Sequence, residues 1–257
     1  MNLRIIGRSS PYAGPGEAGI GYVVENEGGH ILLECGSGVT AKYLERYNLA
    51  DLQGVIISHL HPDHSADLFP LGFAIQHSLM QGVRKEPVPL YLPPGGVDAF
   101  NTALDCFGGL QKHYAQAFTY QEYQAGVQIS IGAWKVDFNR VHHGVNCHGV
   151  VMEGDKGQRL GYTADTKMGP ELERFFQGVD LLLCEATVDS EEQAQSTNHL
   201  TAEEAGKLGE AAGVGHLVLT HFLPGTDGEM KGRLAARHFS GKISVAEADA
   251  VYPVGNK

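Results

Sequence analysis

The 257-residue chain has no CxxC pair, no dense Lys/Arg block, no Pro/Ser-rich linker and no long unbroken apolar run. Each absence removes a class of function. A membrane helix needs about 20 consecutive apolar residues, so a bilayer-spanning protein is not expected. The four cysteines, Cys35, Cys106, Cys147 and Cys184, are scattered. Cys35 and Cys184 sit beside apolar runs ("ILLEC" and "LLLCE") and read as buried thiols in a reducing compartment. Basic residues are also scarce: 19 Lys and Arg face 30 Asp and Glu, a formal charge of −11. Proteins that grip long nucleic acids usually carry a basic field or stripe, so extended phosphate tracking is disfavoured, although a local basic patch stays open. "MNLRIIG" enters a strand-like run without a secretory signal core, and a cytoplasmic location is expected. With no divider along the chain, residues 1–257 read as one domain, long enough for a core with well-covered sheets.

Strand patterns appear at "LRIIG", "GYVVEN", "HILLEC", "GVIIS" and "PLYLP", with a turn at "EGG" between the second and third. "VTAKYLERYNL" and "GVDAFNTALDCF" carry apolar residues at helical spacing. "ADLFPLGFAIQHSLM" contains a helix in which Pro70 is tolerable only near the first turn. The second half repeats the rhythm. "VQISIGAWKVDFNRV" alternates like paired strands, "GVVMEGDKGQRLGYTAD" reads as a hairpin turning at "GDKG", and "GVDLLLCEA" and "HLVLTHF" read as buried strands. In "TAEEAGKLGEAAG", Thr201 and Glu204 form a capping-box pair and Gly213 suits the stop. Two such halves predict an α/β fold, a four-layer αββα sandwich of two mixed sheets with helices outside.

The densest chemistry lies in "SHLHPDH". Imidazole and carboxylate are ligands for Zn²⁺ and its first-row neighbours. A loop leaving the strand "GVIIS" presents His59, His61, Asp63 and His64, and Pro62 helps force the chain out of the strand. If the backbone stays extended, alternation puts His59, His61 and Asp63 on one side and turns His64 toward a second centre. Two neighbouring metals are therefore expected. Further donors must come from other strand ends, and three places qualify: His142 or His143 in "RVHHG", Asp165 in "GYTADT" and His221 in "LVLTHF". His30, His77, His113, His216 and His238 stand singly and read as packing or surface residues, and His148 is at most a pocket-lining residue.

The motifs "HLHPDH", "HHGVNCHG", "YTADT", "CEAT", "NHLTAEEA" and "LTHF", in that order across most of the chain, resemble those of metallo-β-lactamase-fold hydrolases, in the branch of ribonuclease Z and related phosphodiesterases. The resemblance implies one metal held by His59, His61 and His143 and a second held by Asp63, His64 and His221. Asp165 and a hydroxide would bridge them. It prefers His143 to His142 because a small residue and Val follow it, although Asn146 stands where the family commonly has proline. Zn²⁺ is the first expectation for both ions, with Mn²⁺ or Fe²⁺ accepted by the same donors. A homodimer is compatible with this branch.

Two adjacent cations acidify a shared water and neutralise charge on the attacked centre. The leaving alkoxide then needs a proton. Glu185 closes an apolar strand, where an unpaired carboxylate would be costly, and His199 precedes the capped helix. Paired, they would make a carboxylate-oriented acid, and ribonuclease Z-like enzymes place a Glu–His pair at these motifs. Asp63, Glu185 and His199 are thus the candidate catalytic residues. Only Gly144 to Ala164 separates His143 from Asp165, with no room for the protruding arm of tRNA-processing members. The expected substrate is a small or cyclic phosphodiester. Lactone or thioester hydrolysis, tRNA 3′ processing and a non-catalytic metal- or ligand-binding module are the alternatives. "SSPYAGPGEAG" reads equally as a pocket wall or a turn.

Overall fold

The structure, a computed structural model, describes residues 1–255. The strands are β1 (Asn2–Gly7), β2 (Gly21–Asn26), β3 (Gly29–Leu33), β4 (Leu52–Ile56), β5 (Val88–Leu92), β6 (Phe118–Glu122) and β7 (Ile129–Ile131). They continue with β8 (Trp134–Arg140), β9 (His148–Glu153), β10 (Arg159–Tyr162), β11 (Leu181–Glu185), β12 (His216–Thr220), β13 (Lys242–Val245) and β14 (Val251–Pro253). Two seven-stranded sheets result, ordered β14-β1-β2-β3-β4-β5-β6 and β13-β12-β11-β10-β9-β8-β7. Each is antiparallel in one half and parallel in the other, the switch falling at β3–β4 and at β10–β11. The αββα sandwich expected from the pattern is what the chain forms.

Period-two burial explains the layering. On β2 and β3, Tyr22, Val24, Ile31 and Leu33 share a core with Trp134, Phe138, Met152 and Tyr162 of the other sheet. Between them, Val23 and Leu32 face the opposite way, into a cluster with Leu68, Leu71 and Ile75. The Tyr22 and Tyr162 rings meet edge-on at 5.5 Å across the two sheets. Burying each such side chain contributes about 1.5–3 kcal/mol, so register in these strands is strongly specified.

The helix Leu68–Met80 takes Pro70 in its first turn, where no intrahelical N–H is needed. The helix Ala202–Ala212 starts with the Thr201/Glu204 capping box and stops at Gly213, whose φ is 63°. "VTAKYLERYNL" yields only the helix Val39–Leu44 followed by a 3-10 turn at Leu49–Asp51. The helices Gln111–Ala117, Pro170–Phe175, Glu191–Thr197 and Gly228–Ala235, and the strands β6, β13 and β14, were not expected from the sequence. They are short, and β13 and β14 are exposed to half-buried edge strands whose burial pattern is too weak to read. Cys35 and Cys184 are buried free thiols, as expected. Among the described residues, no helix is long and apolar enough to cross a membrane.

Strands β10, β11 and β12 run parallel, so their carboxyl ends share one edge of the sheet. β8 points the same way, because two antiparallel pairings separate it from β10. The segments carrying His143, Asp165, Glu185 and His221 all leave the sheet at this edge.

Candidate metal centre

The "HLHPDH" segment departs from the extended path expected of it. His61 has extended dihedrals and acts as the N-cap of a one-turn helix, Pro62–Ser65, opened by proline at the first position. Proline suits that position because its φ is already helical and its missing N–H is not needed. The alternation that grouped Asp63 with His59 and His61 is therefore corrected: Asp63 turns with His64. Gly36 permits the tight return of this loop, since a Cβ there would run into the Asp63 carbonyl.

Two groups of donors result. His59 Nε2 and His143 Nε2 lie 3.0 and 3.2 Å from His61 Nδ1. In the other group, His64 Nε2 and His221 Nε2 are 3.2 Å apart, and Asp63 Oδ2 lies 3.6 and 3.7 Å from them. Asp165 stands between the groups. Its Oδ2 is 3.7 Å from both His59 Nε2 and His143 Nε2, and its Oδ1 is 3.3 Å from His64 Nε2 and 3.0 Å from His221 Nε2. His142 points elsewhere, exposed and ion-paired with Glu171 at 2.9 Å. His148 starts β9 buried against the Tyr123 ring and joins neither group.

The surroundings aim these side chains. Ser58 Oγ lies 3.0 Å from His59 Nδ1, with Cys147 Sγ at 3.5 Å. Thr187 Oγ1 lies 2.8 Å from His221 Nδ1. Glu34, fully buried, places Oε1 3.4 Å from His64 Nδ1 and accepts the Ser58 N–H at 3.1 Å. Ser10 donates its hydroxyl to Asp63 Oδ2 at 2.7 Å. "SSPYAGPGEAG" is thereby a wall of the centre at its start, because Ser9 also pairs with Phe222, next to His221. Glu34 could have been found from its position: like Glu185, it is a carboxylate ending an apolar strand. Nothing local marks Ser10, which meets a residue 53 positions away. Of the five non-glycine residues with positive φ among the described residues, Glu34, Ala164, Asn198 and His221 lie in or beside this centre. Such conformations cost about 1–3 kcal/mol each and gather where function holds a side chain in place.

Charge separates the two groups. Burial pushes the pKa of His59 well down, helped by the charge of His64, and burial also lowers His143. Burial would lower His64 and His221 too, but Asp165 and its companions outweigh it. Asp165 and Glu34 lift His64 well above the usual range, and Asp165 and Asp63 lift His221 to about 9. Burial alone would raise Asp165, yet His221 and His64 hold it well below the carboxylate range. These carboxylates thus favour protons on the imidazoles that face them. A divalent cation would replace those protons, because ligands bind deprotonated.

The donor set fits first-row divalent cations. Imidazole nitrogens converge within hydrogen-bonding distance of one another, and Asp165 Oδ1 is buried without a well-aligned hydrogen bond. His59, His61, His143 and Asp165 bring one ligand atom each within 4.8 Å of one another, and so do Asp63, His64 and His221. A third group of the same kind joins Asp165, His199 and His221.

Glu185 and His199 meet as expected. His199 Nδ1 lies 3.0 and 3.1 Å from the two Glu185 oxygens. Glu185, 1% exposed, also accepts the Thr166 N–H at 2.7 Å and the Leu200 N–H at 3.1 Å. It is a packing hub as well as a partner for His199. Burial would lower the His199 pKa, but the Glu185 hydrogen bond and charge raise it. The ring stands 5.2 and 5.4 Å from those of His143 and His221, centroid to centroid.

Comparison with known proteins places the chain among its relatives. YhfI of Bacillus subtilis, named a probable metallo-hydrolase, is 28% identical over 254 residues, covering 98% of this chain and 99% of its own. The crystal structure of YhfI, described as a metallo-β-lactamase fold protein, superposes with a TM-score of 0.89 at 27% identity, covering 98% of each chain. A ribonuclease Z of Mycobacterium bovis is 29% identical over 275 aligned positions, covering 95% of both chains. The model of the β-lactamase superfamily domain matches residues 30–222, which include every donor named above. With that match over most of its length, and relatives named as a metallo-hydrolase and a ribonuclease along nearly all of it, the chain belongs to the β-lactamase superfamily and is a hydrolase.

Proposed function

We propose that this hydrolase is a phosphodiesterase acting on a small or cyclic phosphodiester with two divalent cations, Zn²⁺ first among them. His59, His61 and His143 would hold one cation and Asp63, His64 and His221 the other, and Asp165, which stands between the groups, would serve both. Bound there, cations would supply Lewis acidity, making water a better nucleophile and neutralising charge on the attacked phosphorus.

The observation that carries the reading is the Glu185–His199 pair beside the donor groups. Glu185 occupies Nδ1 of His199 at 3.0 Å and leaves Nε2 free to deliver a proton. Phosphodiester cleavage with an alkoxide leaving group needs that proton, whereas opening an activated ester needs it less. Glu185 holds the ring's orientation, and Thr187 and Leu200 hold Glu185. Asp63 is held by Ser10 and His221 by Thr187, so the donors keep their geometry before substrate arrives.

Small substrates are favoured by shape and charge. The segment between His143 and Asp165 is an antiparallel hairpin, with Glu153 paired to Arg159, rather than a protruding arm. The net charge of −11 opposes a long polyanion. Kinship with a ribonuclease Z keeps tRNA 3′ processing as the second reading. The test is to assay the zinc- or manganese-loaded protein on bis-p-nitrophenyl phosphate, a cyclic nucleotide, a precursor tRNA, a lactone and a thioester. Turnover of the first two is expected. Fast lactone or thioester hydrolysis beside inert phosphodiesters would overturn the proposal, and cleavage of the tRNA alone would replace it with the second reading.

A further inference from the structure

Lys231 lies outside both donor groups and is one of the most deeply buried charged residues, its side chain only 4% exposed. A buried ammonium is costly unless fully partnered. Its partners all belong to one short segment after β11. Nζ donates to the Val188 carbonyl at 2.8 Å and the Thr187 carbonyl at 3.4 Å, and it pairs with Asp189 Oδ1 at 2.9 Å. Asp189 is 78% exposed, so water could reach this segment. Satisfying two carbonyls therefore does not by itself explain a sequestered lysine.

What the segment holds does explain it. The Thr187 hydroxyl touches both Glu185 and His221. The Val188 N–H donates to the Leu200 carbonyl at 3.2 Å, and Val188 forms a parallel bridge with Thr201. The Leu200 N–H returns to Glu185 Oε2 at 3.1 Å. His199 is thus enclosed by a ring of contacts running through residues 185–188 and 200–201. The helix Gly228–Ala235 is linked to that ring through Lys231.

We propose that Lys231 is a positioning residue that locks the 187–189 segment and thereby holds His199 on Glu185 in proton-delivery geometry. This inference rests on the phosphodiesterase reading of the same site. In the step concerned, the oxygen of water bonds to phosphorus and the bond from phosphorus to the leaving oxygen breaks. The electron pair stays on that oxygen, which takes the His199 proton; the proton shed by water restores His199.

Leaving-group dependence tests the idea. Bis-p-nitrophenyl phosphate releases a stable phenolate that needs no proton, whereas uridine 2′,3′-cyclic phosphate releases a ribose alkoxide that does. In metal-loaded K231M, kcat on the cyclic substrate should fall about tenfold or more while the rate on the nitrophenyl ester stays within about twofold. Both rates are taken at saturating metal with the ion content checked, which separates an effect through Thr187 on His221 from one on His199, and K231R should recover part of the loss. H199A serves as reference and should show the same selectivity more strongly. If H199A slows both substrates equally, the acid role of the site itself fails. If H199A is selective but K231M slows both equally, or neither, the Lys231 inference is overturned. Should K231M not fold, K231Q replaces it, read by the hydrogen-bonded His199 Nδ1–H proton resonance. Loss or broadening of that signal supports the inference, and a signal unchanged from wild type refutes it.

Discussion

The His59/His61/His143 group and the Asp63/His64/His221 group share Asp165 but sit in opposite electrostatic settings. In the first, His61 and His143 are partly open to solvent and the only carboxylate is Asp165; burial pushes His59 and His143 toward the neutral form. In the second, every member is buried, and Asp165, joined by Glu34 at His64 and by Asp63 at His221, outweighs burial and pulls both rings toward the protonated form. Identical side chains are thus driven in opposite directions, by burial in the first group and by carboxylate charge in the second. Ligation needs neutral imidazole, so the first group is ready for a cation while the second exchanges protons for one.

The change expected to have the largest effect would erase this difference. D165A should reduce both ions, read as metal per chain by elemental analysis, and lower activity by more than about 10³-fold. Loss of only one ion would show that Asp165 serves a single group. Next comes H199A, which separates the donor groups from the proton-delivery pair: turnover of an alkoxide-releasing substrate should fall about 10²- to 10³-fold with two ions retained. Loss of an ion would instead make His199 a ligand, as its closeness to Asp165 and His221 allows. E34Q sharpens the contrast, because Glu34 faces His64 directly and reaches His59 only through the Ser58 backbone. Affinity for one cation should drop by about 10- to 100-fold, as for other supports of ligating histidines, while the other is unaffected. S10A should have the smallest effect. Removing one hydrogen bond worth about 1 kcal/mol should weaken the same cation several-fold, with KM nearly constant in a metal-saturated assay.

Much of this centre was legible because its donors follow strands or capped elements with strong patterns. "HLHPDH" after "GVIIS", Asp165 after β10 and His221 after β12 could be placed from apolar runs alone, and so could Glu185 at the end of β11. The resemblance of the motifs separated His143 from His142, and the Glu171 ion pair of His142 supplies the physical reason. What the residues alone do not reveal is of two kinds. The one-turn helix Pro62–Ser65 is too short for periodicity to reveal, and alternation along an extended path groups Asp63 with the wrong neighbours. Ser10, Glu34, Thr187 and Lys231 are single polar residues whose partners are set by tertiary folding. Lys231 and Val188, for example, are 43 positions apart.

Strands β10, β11 and β12 are hydrogen-bonded in parallel without interruption, Leu160 to Leu181 and Leu182 to Leu217. They behave as a single plate carrying Asp165, Glu185 and His221 on its rim. Sliding one strand by a residue would shift its passenger by about 3.3 Å and reverse its facing, enough to put it out of reach of its partners. Tolerance to mutation should therefore be lowest in the apolar interior of these strands, far from any reacting atom, since that is where the alignment of the chemistry is stored.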